Sequence, residues 1–157
     1  LQARLLTELR EQSFGILEGL TMDESRLQHA DILHDWMRFD PDYQLPHGES
    51  LRRFHQRTLG ALTGIAQAHA DMPADGCILV FSHGGVVDMA WRTLTGQSLA
   101  GPRTVEIPNV GLNHMRWDGS QFQLLHWADA RHVADLPSQP RYDQTRLQVP
   151  ASDKENA

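Results

Sequence analysis

Apolar residues recur at helical spacing in one long stretch and run without interruption in another, and these two patterns set the framework of the chain. After Ser50, residues Leu51, Phe54, Leu62, Ile65 and Ala66 fall close to one face, while Arg52, Arg53, Gln56 and Gln67 fall largely elsewhere. That spacing predicts a long amphipathic helix with Ser50 as its N-cap. Met72-Pro73-Ala74-Asp75-Gly76 turns the chain, and Cys77-Ile78-Leu79-Val80-Phe81 follows as a continuous apolar run of the kind found in strands buried on both faces. A further helix is expected from Gly84 or Gly85, carrying Val86, Val87, Met89, Ala90, Trp91 and Leu94 and stopping at Gly96. Upstream, Gly15 and Gly19 punctuate Leu9, Phe14, Ile16 and Leu20, a mixture that suits a strand end running into an ordered loop. Thr21-Met22-Asp23-Glu24 matches a capping box, so a helix begins there and runs, with a break, to Phe39 before Pro41 ends it. Residues 110–117 and 121–127 flank Asp118-Gly119-Ser120 and read as a β-hairpin.

Helix, buried strand, helix and hairpin make an α/β layered domain, expected over residues 1–136. From Pro137 onward Pro, Gln, Ser and charge replace large apolar residues, and residues 137–157 read as a mobile tail. In α/β sheets ligands bind beyond the carboxyl ends of the strands, which singles out Ser82-His83-Gly84-Gly85. Paired glycines allow close approach of the backbone, and the helix N-terminus offers free N–H groups to an anion. His83, when protonated, adds a side chain that donates from both ring nitrogens. The plainer reading is a histidine that caps local backbone.

Two other chemistries have to be weighed. Ser82 also follows a strand, but a nucleophile elbow needs glycine two residues earlier, where Val80 stands. Nine histidines invite a metal, yet neither a His-Glu-x-x-His spacing nor a cysteine pair occurs, leaving only His114, His126 and His132 around the hairpin as candidates. No metal and no cofactor is expected. Glu11, between Arg10 and Gln12, reads either as an exposed charge or as a catalytic carboxylate, and Glu49 beside a helix N-terminus is equally open between structure and catalysis.

The net charge of −6 argues against nucleic acid or a membrane surface as partner, because both demand clustered Lys and Arg, while a small local pocket for an anion stays possible. The lone Cys77 is expected to act as a small buried hydrophobe. No signal-peptide pattern and no apolar stretch of about 20 residues occurs, so a cytoplasmic location is expected. The first residue is Leu1, and residues 1–9 read like the middle of a domain, which leads us to expect further residues upstream.

Leu9-Arg10-Glu11-Gln12-Ser13-Phe14-Gly15 with Glu18-Gly19, then Pro46-His47-Gly48-Glu49-Ser50, then Ser82-His83-Gly84-Gly85 succeed one another as in the histidine phosphatase superfamily, and the chain resembles its phosphoglycerate-mutase-like branch over residues 5–133. The resemblance implies a three-layer α/β/α phosphoglycerate-mutase-like fold, here without its first strand and neighbouring elements. It also implies a nucleophilic histidine in an Arg-His-Gly motif that becomes phosphorylated and is then hydrolysed. That motif is not in these 157 residues, since Arg131-His132-Val133 lies beyond the hairpin and lacks the glycine. By resemblance, His83 matches the histidine that stabilises charge on the phosphoryl oxygens, and Gly84 presents its N–H to the same group. Glu11 matches the residue that protonates the leaving oxygen and later takes a proton from water.

A small phosphorylated metabolite is the expected partner. Residues 21–44 carry only Arg26 and Arg38, fewer cations than the related mutases use to hold a phosphoglycerate carboxylate, so hydrolysis of a small phosphomonoester is favoured. Mutase-type transfer and a noncatalytic phospho-ligand-binding remnant stand as alternatives. Trp36, Met37, Phe39 and Tyr43 are candidates for the wall of the cleft, and core packing explains most of them equally well.

Overall fold

The computed structural model describes residues 3–137 apart from Ala74, together with Gln144. The expected tail therefore lies outside the described residues, except for Pro137 and Gln144. Local signals set most elements. Thr21 and Glu24 form the reciprocal capping box of α1 (Met22–Gln28), and the chain breaks at His29 before α2 (Ala30–Trp36). Ser50 Oγ accepts from the Arg53 N–H and opens α3 (Leu51–Ala68). The helix α4 (Gly84–Thr95) ends on Gly96 in the left-handed conformation, at φ 65°. Short 3-10 turns occupy Thr7–Leu9, Gly15–Leu17 and Arg131–Val133.

The hairpin pairs β1 (Leu112–Trp117) with β2 (Phe122–Asp129) antiparallel, Trp117 opposite Phe122 and His114 opposite His126, with irregular register near His114. Asp118 organises its turn by accepting from the Ser120 N–H and hydroxyl and the Gln121 N–H, each at 2.9 Å. These bonds, led by the backbone donors, hold its carboxyl down at about 2. His114 and His126 face each other with ring centroids 6.2 Å apart, and among the described residues no three potential ligands gather to hold a metal.

Two apolar clusters organise the interior. Leu9, Phe54, Leu62, Val86, Met89 and Ala90 bring α3 and α4 together, with Met115 and Phe122 of the hairpin packed against them. Leu17, Leu33 and Leu45 form the second, surrounded by Phe14, Trp36, Met37 and Tyr43. Trp91 of α4 meets Trp127 of β2 at 4.8 Å between centroids and fixes the hairpin to the helix. No helix among the described residues is long and apolar enough to cross a membrane.

The apolar run departs from expectation. Residues 77–81 form no strand, and Leu79 and Phe81 are 69% and 90% exposed. Cys77 is exposed as well, not buried. A strand of this composition is stable only with neighbours on its edges and layers on its faces, and the described residues pair with neither edge and cover Ile78 and Val80 only in part, at 40% and 43% exposed. The sheet they do contain is the two-stranded hairpin.

Candidate active site

Glu11 sits between two 3-10 turns, and its carboxylate reaches the N-terminus of α4. Oε2 accepts from the Gly85 N–H at 2.9 Å, and Oε1 from the Gln12 N–H at 2.8 Å. The helix end presents its free N–H groups to the carboxylate here. Only glycine fits at position 85, because a Cβ would overlap Glu11 Oε1 and come within 2.9 Å of the Phe54 ring. Gly85 thus makes room for the carboxylate.

His83 is the N-cap of α4, extended at φ −114° and ψ 164°, with its side chain exposed and making no capping bond. The plainer reading of a histidine spent on local backbone is therefore not what the geometry shows. Among the described residues it shares no hydrogen bond with Glu11, but it precedes Gly84, which lines the same cleft as Glu11. Ser82 is committed elsewhere: its hydroxyl donates to the Leu9 carbonyl at 2.6 Å, tying the approach to α4 to the approach to Glu11.

The cleft, about 280 Å³, opens between the two apolar clusters, and Glu11, Gly84 and Gly85 form one part of its lining. Trp36, Phe39 and Tyr43 line it too, while Met37, like Trp36 and Tyr43, packs against the second cluster. Phe39 is held at φ 52°, a strained conformation for an aromatic residue, and its carbonyl accepts from the Gly101 N–H at 3.2 Å.

Cations enter the cleft from an unanticipated stretch. Arg26 bonds Asp23 on the surface, whereas Arg92 and Arg103 line the cleft. Arg103 Nη1 would lie 3.5 Å from a Cβ on Gly84, beside the histidine–glycine pair. Arg92 is buried and spent on structure, bonding Asp88 Oδ2 at 3.1 Å, the Ser98 carbonyl at 2.6 Å and the Gly101 carbonyl at 3.2 Å. Asp88 Oδ1 is buried without a hydrogen bond among the described residues, and burial pushes this carboxyl up against the pull of Arg92 and Arg103. Arg103 was not legible as part of the site, because it lies in the irregular loop after α4 and its backbone bond to Gln144 is long-range, and the Asp88–Arg92 pair reads in sequence only as an i,i+4 ion pair of a helix.

Glu49 does not line the cleft. It pairs with Arg57 and accepts from the Ser13 N–H at 3.0 Å, which decides its open reading in favour of structure.

Such a cleft suits proton transfer beside an anionic ligand, and its family can be stated. Residues 1–130 match the histidine phosphatase superfamily (branch 1), and the chain belongs to that family. The "Probable phosphoglycerate mutase GpmB" of Cronobacter sakazakii is 26% identical over 135 residues, covering 83% of this chain and 60% of the relative. Its counterpart in Klebsiella pneumoniae subsp. pneumoniae is 24% identical with the same coverage. The chain thus spans about 60% of the length of these curated relatives. Among solved structures, Bacillus stearothermophilus YhfR superposes with a TM-score of 0.65 at 24% identity, covering 80% of this chain and 61% of that one. Mycobacterial hydrolase 1 superposes with a TM-score of 0.62 at 20% identity, covering 80% and 64%. These likenesses establish the α/β fold of the family for the chain.

Proposed function

We propose that this chain carries the acid–base and charge-stabilising half of a phosphatase that hydrolyses a small phosphomonoester through a phosphohistidine. The nucleophile is a histidine supplied by a segment N-terminal to Leu1, whose strand would cover residues 77–81. In the first step the histidine nitrogen attacks phosphorus, the bond to the leaving oxygen breaks, and Glu11 gives that oxygen its proton. In the second, Glu11 takes a proton from water as water attacks phosphorus, the P–N bond breaks and inorganic phosphate leaves. His83 and the Gly84 N–H donate to the phosphoryl oxygens in both steps.

The observation that carries this reading is the Glu11 carboxylate seated at the start of α4, next to His83–Gly84 and facing an aromatic wall. Hydrolysis rather than mutase transfer is favoured because Arg26 is spent on the surface and Arg92 on Asp88. The name of the curated relatives supports mutase transfer as a second reading, with Arg103 as the cation it would use.

The test is Glu11→Gln in the product of the complete reading frame, assayed on p-nitrophenyl phosphate and phenyl phosphate. Loss of the proton donor should cost about 10²- to 10⁴-fold on phenyl phosphate, the poorer leaving group, and markedly less on p-nitrophenyl phosphate. Equal losses on both would remove Glu11 as the acid. Interconversion of phosphoglycerates faster than their hydrolysis would favour the mutase, and an inert complete product the noncatalytic remnant.

A further inference from the structure

The loop that carries Glu11 lies outside helix and sheet, so something else must hold its backbone. Arg57, in the middle of α3, reaches across with all five of its N–H donors engaged. Nη1 donates to the carbonyls of Glu8 at 2.6 Å and Arg10 at 2.9 Å. Nη2 donates to the carbonyl of Glu11 itself at 2.9 Å and to Glu49 Oε1. Nε donates to Glu49 Oε2 at 3.0 Å. The guanidinium also lies over the Phe54 ring, 4.7 Å from its centroid, and Phe54 borders the cleft.

Glu49 completes the arrangement from the other side. Its Oε1 accepts from the Ser13 N–H, its own N–H donates to the Ser13 carbonyl at 3.0 Å, and its carbonyl accepts from the Gln12 side chain at 3.2 Å. The residues flanking Glu11 are thereby fixed on both sides. Arg57 and Glu49 are 19% and 13% exposed in their side chains, so water competes weakly for these bonds.

From this geometry we infer that Arg57, braced by Glu49, is a positioning residue for the reaction: it acts through Glu11 by aiming that carboxylate at the leaving oxygen, and it touches no substrate. Lysine cannot replace it, because a point ammonium with three donors does not reproduce a planar fork with five. Misplacing a catalytic group by about 1 Å costs on the order of 10²-fold. The inference rests on Glu11 being the acid, and the two can fail separately.

The experiment uses the product of the complete reading frame. Arg57→Met should lower kcat on phenyl phosphate by about 10- to 100-fold and on p-nitrophenyl phosphate by less than about 5-fold, reproducing in weaker form the leaving-group dependence of Glu11→Gln. Added to Glu11→Gln, it should cost less than about 2-fold more on phenyl phosphate, because the group it positions is already gone. If Glu11→Gln shows the leaving-group dependence and Arg57→Met lowers both substrates equally, Arg57 is only structural and the inference falls. If Glu11→Gln shows no such dependence, the acid assignment itself falls. Should Arg57→Met not fold, Arg57→Lys is judged by the same ratio, and unaltered leaving-group dependence in that variant overturns the inference.

Discussion

Two stretches meet at the start of α4, and they are built on opposite terms. On the Glu11 side, the carbonyls of Glu8, Leu9, Arg10 and Glu11 all accept hydrogen bonds from Arg57 or Ser82. Its carboxylate is bonded at both oxygens. On the His83 side, the preceding residues 77–81 have no ladder partners among the described residues, and large apolar side chains face outward. One side is held by polar groups from its own neighbourhood. The other is an apolar stretch whose sequence calls for cover on both faces and whose described surroundings provide little. On the proposed reading the acid half of the site is held by α3, while the charge-stabilising half follows residues 77–81, which pair with no described residue.

The largest effect expected on both substrates alike separates the chemistry of the two sides. His83→Ala in the complete product should lower turnover by about 10²- to 10³-fold, and equally for phenyl and p-nitrophenyl phosphate, since charge on the phosphoryl oxygens develops with either leaving group. The thermal midpoint of the 157-residue chain should hold under the same change, because there the side chain is exposed and makes no capping bond. Turnover that survives the change would take His83 out of the mechanism.

A second substitution tests the cover. Leu79 is 69% exposed, so Leu79→Asp should alter the stability of the 157-residue chain by no more than about 0.5 kcal/mol. In the complete product the same change should cost about 3 kcal/mol or more, because a carboxylate would replace a buried leucine. Denaturant melts of both forms decide it. Equal tolerance would mean that residues 77–81 stay bare and that the upstream strand does not pair there.

The same contrast explains what could be read from sequence. The capping box at Thr21, the Ser50 cap, the Gly96 stop and the Asp118-Gly119 turn were legible because each is closed by residues two to four positions apart. Glu11 and His83 were singled out by motif, and Gly85 N–H bridges the first to the start of the second's helix. Arg57 was invisible: it looks like one more charge on an amphipathic helix, and its partners Glu8, Arg10 and Glu11 are 46 to 49 residues away. The run at 77–81 departs from its reading for a related reason. Composition reports that a strand wants burial on both faces, but not which segment provides it, so the burial of Cys77 could not be read from residues 77–81 alone.

The smallest effect probes the polar side through pH. Burial raises the Glu49 carboxyl, but the bonds from Arg57 and the Ser13 N–H, with the charges of Arg57 and Arg10, outweigh it and hold the group below its ordinary value. A carboxyl lowered by folding contributes stability that is present above its unfolded pKa of about 4.3 and is lost as pH falls through the lower folded value. Glu49→Gln removes the charge and with it that dependence. At neutral pH the variant should be less stable by about 1.5 kcal/mol, the scale of a hydrogen bond to a charged group. The gap should stay level from about pH 7 to 5 and close as the medium is acidified below about 4.3. Thermal midpoints of the two proteins across this range provide the check. A gap that persists unchanged into strong acid would mean that the ionised carboxylate is not what braces Arg57, and that Glu49 contributes to the Glu11 loop through shape and neutral hydrogen bonds alone.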